Sequence, residues 1–70
     1  MDWHSTEARE ELLLAMAGAV ELQIRSRSTV RRRALRAGQC AFLPARTRHR
    51  VVNRSRTPAR YVYVTGARSA

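Results

Sequence analysis

The chain has 70 residues, 14 of them basic and five acidic, for a formal net charge of +9. A single domain of this length buries only about 60% of the surface that its unfolded chain exposes, which excludes two domains or a large enclosed core. A lone cysteine, Cys40, excludes an internal disulfide, two histidines exclude a zinc finger of ordinary Cys and His count, and no apolar run approaches membrane-spanning length.

The first segment, Ser5 to Gly18, admits two elements. Ser5 or Thr6 as an N-cap, early glutamates and Gly18 as a stop suit a helix by local propensity. Next, Val20, Leu22 and Ile24 alternate with Glu21, Gln23 and Arg25, the pattern of a half-buried strand. Ser26 to Ser28 form a polar turn, and Thr29 to Leu35 return as a strand whose arginines mark it as exposed or at a sheet edge. Gly38 supplies a turn with positive φ, and Cys40 to Leu43 make a short strand that Pro44 ends, because proline cannot donate to a ladder. Cys40 reads as a small buried apolar residue rather than a nucleophile. After a turn at Ala45 to Thr47, the strand Arg48 to Arg54 carries His49 and Asn53 on one face. Ser55 to Pro58 form another turn, and Arg60 to Thr65, with β-branched and aromatic residues throughout, is expected to be buried on both faces. The whole is one domain with a core of about residues 3–66, frayed at 1–2 and 67–70.

Gly38, Pro44, His49 and Asn53 stand at the spacings of the second conserved motif of the cupin superfamily, which this run resembles. Arg46 occupies the place of that motif's second glycine, where a left-handed backbone would cost roughly 1–2 kcal/mol. His4, Glu11 and Gly18, with Trp3 ahead, match the first motif in part, and Thr6 stands where the family has its second histidine. The resemblance runs from about Trp3 to Gly66 and is to small single-domain cupins of the mannose-6-phosphate isomerase-like type.

The resemblance implies an all-β fold, a small and incomplete jelly-roll (double-stranded β-helix) barrel of about six strands. In it Glu11 to Met16 is a strand, tertiary context overriding helix propensity. It also implies that His4, Glu11 and His49 hold a divalent metal inside the barrel. Two imidazoles and one carboxylate suit non-heme iron and also accept manganese, nickel or zinc. Fully extended, residues 4 to 11 would separate His4 from Glu11 by about 23 Å, so Ser5 to Glu10 must fold back as a loop. A small anionic molecule at the barrel mouth would pair with Arg46 or Arg48. If the protein is an enzyme, the resemblance implies a metal-dependent isomerase or dioxygenase, although the fold hosts many chemistries.

Plainer readings stand beside these. His49 reads equally as a core histidine bonded to a neighbour, Glu11 as a carboxylate at a strand start, and His4 as a solvated side chain. Full single-domain cupins have one or two strands before the first motif that are missing here, and the open edges lead us to expect a homodimer with exchanged or shared strands. A non-enzymatic dimeric module without metal is therefore the first alternative. The second is a basic nucleic-acid-binding protein. Every basic residue is an arginine, which fits a GC-rich coding preference and a solvated surface as well as a phosphate footprint, so nucleic acid ranks below a small-molecule partner. The N-terminus has no basic region followed by an apolar stretch, so the chain is expected to be cytoplasmic and to have no membrane segment.

Overall fold

The computed structural model describes residues 2–67. Seven strands follow in order: β1 His4–Ser5, β2 Arg9–Ala17, β3 Ala19–Ser26, β4 Thr29–Arg36, β5 Cys40–Leu43, β6 Arg48–Val52 and β7 Arg60–Ala67. No helix occurs among the described residues, so none is long and apolar enough to cross a membrane. Two antiparallel sheets form, one in the order β1-β6-β3-β4 and one in the order β5-β2-β7. The fold is the expected all-β jelly-roll barrel built from two sheets, with one strand more than expected because His4 and Ser5 pair with His49 and Arg48.

Alternation decides β2 against a helix. Glu11, Leu13 and Ala15 are buried, while Leu12 and Met16 are exposed, so side chains of period two seat one face on the core. Val20 and Leu22 of β3, Leu35 of β4, Ala41 and Leu43 of β5 and Val51 of β6 complete that core from both sheets. Ile24, Ala59 and Tyr61 pack against its rim.

Three expectations are corrected. Strand β7 is not buried on both faces: it lies at the edge of its sheet with β2 as sole neighbour among the described residues, and Val62, Tyr63 and Val64 are exposed. Cys40 is exposed rather than buried, because it lies on the outward side of the edge strand β5. Asn53 is not on the strand with His49, since β6 ends at Val52. Its side chain instead organises the following loop, donating to the Thr57 carbonyl at 2.9 Å and accepting from the Ser55 amide at 3.0 Å.

The two sheets show contrasting outer faces. On the three-stranded sheet, register aligns Leu12 with Phe42 and Val64, and Leu14 with Cys40 and Val62, so this outer face is apolar. On the four-stranded sheet the outer face is polar. There Gln23 donates to Glu21 at 2.6 Å and accepts from Arg50 at 2.7 Å, while Arg54 and Arg32 approach Glu21 at 3.6 and 3.9 Å. Trp3 lies against the Arg50 guanidinium, 4.7 Å from ring centroid, which pins the N-terminal segment beside β6.

Two turns bear on the site. Gly18 joins β2 to β3 at φ +72°, and a Cβ there would fall 2.9 Å from the Pro58 carbonyl, so only glycine fits. Arg46 takes φ +58°, the left-handed conformation for which the motif uses glycine. Arg46→Gly is expected to stabilise the domain by about 0.5–1 kcal/mol, the strain relieved less the added freedom of the unfolded chain. Thermal melting would show this as a rise of a few degrees; an unchanged or lower midpoint would refute it.

Candidate metal centre

The segment between His4 and Glu11 folds back as their proximity requires. Glu7 turns the chain at φ +55°, the Arg9 amide bonds to the Thr6 carbonyl at 3.0 Å, and Ser5 Oγ accepts from the Glu7 amide at 3.0 Å. This loop is latched to the β5–β6 turn. The Arg46 amide donates to the Glu7 carbonyl at 2.7 Å, and the Thr6 amide donates to the Thr47 carbonyl at 3.1 Å.

Thr6, in the place of the family's second histidine, completes the latch. Its buried hydroxyl donates to the Pro44 carbonyl at 2.8 Å and accepts from the Thr47 amide at 2.9 Å. A side chain that could have been a ligand has become a cross-link between two loops. Thr6→Val keeps the shape but strands both backbone partners, at a cost of about 1–3 kcal/mol. Urea denaturation would measure this, and a loss below about 0.5 kcal/mol, within the range of an ordinary surface substitution, would deny the latch its structural weight.

Strand pairing sets His4 directly opposite His49, and their rings meet at 4.2 Å between centroids with planes inclined by 60°. Strand β2 brings Glu11 from the other sheet, with Oε1 at 3.5 Å from His49 Nε2. One donor atom from each of His4, Glu11 and His49 lies within 4.8 Å of the others. The three residues assembled from the sequence therefore converge, His49 and Glu11 buried and His4 exposed.

The chemistry at His49 is specific. Its Nδ1 lies 3.0 Å from the Thr47 carbonyl, which can only accept, so Nδ1 carries the hydrogen. In the neutral ring, Nε2 then presents a lone pair toward a carboxylate. That nitrogen is buried without a hydrogen-bond partner, the 3.5 Å approach of Glu11 being longer than the roughly 2.7–2.9 Å of a charge-assisted bond. An imidazole fixed by a carbonyl on one nitrogen and open on the other is the arrangement of a metal-ligating histidine. His4 repeats it more loosely, with Nδ1 at 3.3 Å from the Asp2 carbonyl.

An open pocket of about 410 Å³ adjoins this cluster, lined by His4, Thr6, Glu7, Arg9, Glu11 and Tyr63 among others. Arg46 and Arg48 do not line it. Arg9 and Tyr63 were not singled out by sequence. Alternation along β2 from the buried Glu11 would have placed Arg9 on the same side, whereas Tyr63 depends on which strand β7 adjoins. Further along β7, burial raises the Tyr61 phenol above its ordinary pKa, with Tyr63 and Glu11 adding to the effect, so it stays protonated at neutral pH.

A family model described as "Cupin domain" matches residues 1–65. No curated protein and no solved structure matches the chain. Fold, motif positions and this match agree, and the chain belongs to the cupin domain family.

Proposed function

We propose that the protein binds one divalent metal ion between His4, Glu11 and His49 and presents it to a small anionic molecule in the adjoining pocket. The observation that carries this reading is the buried Nε2 of His49, which has no hydrogen-bond partner among the described residues and faces the Glu11 carboxylate. A cation between them would satisfy both groups at once. The donor set of two imidazoles and a carboxylate suits iron, manganese, nickel or zinc. Bound there, such an ion would supply Lewis acidity or, in the case of iron, redox capacity, as a metal-dependent isomerase or dioxygenase requires.

The chain's own residues would do the rest. His49 is held in one tautomer by Thr47, Glu11 supplies the negative charge, and the latch through Thr6 holds the His4 loop against the β5–β6 turn. Arg9 at the pocket wall offers the positive charge that an anionic ligand needs, the part assigned at first to Arg46 and Arg48. The Trp3-His4-Ser5 opening supports grouping the protein with the mannose-6-phosphate isomerase-like small cupins.

Elemental analysis of protein purified without added metal tests the reading, followed by titration of stripped protein with iron, manganese, nickel and zinc. Near one equivalent of metal is expected in the wild type. Glu11→Gln removes the charge but keeps the shape, and should weaken binding at least tenfold. A wild type that takes up none of the four ions refutes the proposal.

A further inference from the structure

The outer face of the three-stranded sheet has no covering layer among the described residues. Phe42 there is 59% exposed, Val64 65%, Met16 52%, Val62 45% and Leu12 43%. These side chains are contiguous, because β5 and β7 flank β2 in a register that places Phe42 and Val64 on either side of Leu12. We propose that this face is the interface between two copies of the chain, packed sheet against sheet about a two-fold axis. This inference is independent of metal binding.

Area, charge and symmetry identify a second copy as the occupant. The patch is on the order of 500 Å², at the upper end of what monomers expose. Two such patches together bury about 1,000 Å², the size at which specific interfaces begin. Like molecules of charge +9 repel one another, yet few of the arginines reach this surface. Of those on the three-stranded sheet, Arg9 shares the face of the buried Glu11, and only Arg60 shares the apolar face. On the other sheet Arg25, Arg32, Arg36, Arg48 and Arg50 share the outer face, away from the contact, whereas Arg31 and Arg33 share the side of Ile24 and Leu22, and Arg31 lines a cleft with Phe42 at the margin of the patch.

The ends of the patch supply direction. Glu10 lies outward at one end of β2, and Arg60 pairs with Ala17 at the other. An axis in the plane of contact and perpendicular to the strands lays one copy antiparallel on the other, with Glu10 over Arg60 of the second copy and the reverse. The contact is self-complementary, as a two-fold interface must be. It needs no exchange of strands.

Sedimentation equilibrium of the full chain across micromolar concentrations is the test. The expected mass is twice the chain's 8.0 kDa. Val64→Arg and Phe42→Arg each change a side chain already exposed in the monomer, so both should keep a β-type circular dichroism spectrum while weakening dimerisation at least tenfold. Raising the salt screens both the repulsion between the copies and the two Glu10–Arg60 pairs, so the dimer, held chiefly by its apolar contact, should persist at high salt. The Cys40 thiol should react slowly in the dimer and faster in either variant. Glu10→Arg should weaken association several-fold, and adding Arg60→Glu should restore it. A monomeric mass throughout this range, a dimer indifferent to both arginine substitutions, or a charge swap that fails to restore association would each overturn the proposal.

Discussion

Replacing His49 with alanine is expected to abolish divalent-ion binding and to lower stability by about 2–4 kcal/mol. The two effects have separate causes. His49 is fully buried, so the deletion leaves a void beside His4 and removes the group that faces the buried Glu11 carboxylate. Loss of even an outer hydrogen-bond partner of a metal ligand typically costs 10–100-fold in affinity, and loss of the ligand itself costs more. His49→Gln separates the causes, because its amide can donate to Glu11 and fills most of the space. That variant should keep most of the stability and still fail to retain metal. Calorimetric titration alongside urea denaturation reads both quantities, and undiminished ion uptake by folded His49→Ala would remove the centre from this position.

Leu22→Ala is expected to have the largest effect on folding, about 3–5 kcal/mol. Leu22 is 0% exposed, on the central strand of the core-facing side, and pairs with Arg33 and Val51 on either hand. A chain of this size has a total stability of only about 4–10 kcal/mol at the usual 0.05–0.15 kcal/mol per residue. The substitution therefore consumes a third or more of it. A melting midpoint lowered by roughly 12–40 °C is expected, since each kcal/mol shifts a domain of this size by about 4–8 °C. A drop of less than about 4 °C would show that the core does not rest on this strand.

Much of this architecture was legible because its signals are local. The alternation from Val20 to Arg25 gave β3, Gly38 and Pro44 bracketed β5, and motif spacing brought His4, Glu11 and His49 to one place. What was not legible depended on neighbours distant in sequence. The run Arg60 to Thr65 has the composition of a buried strand, but burial depends on what lies beside it, and among the described residues β7 has one neighbour and an uncovered outer face. Cys40 is exposed for the same reason. Asn53 sits one residue past a strand end, where its amide bonds the loop instead of continuing the alternation. Thr6 reads in sequence as the loss of a ligand, and only the position of Pro44 and Thr47 turns it into a fastening.

The latch between the His4–Glu11 loop and the β5–β6 turn joins residues 38 to 41 positions apart in the sequence. Closure entropy must be spent before such distant contacts give anything back. The convergence of His4 and Glu11 upon His49 depends on the same long-range closure. A guest that needs all three donors binds the folded chain and not the dispersed one, and so adds its own binding free energy to the stability of the fold.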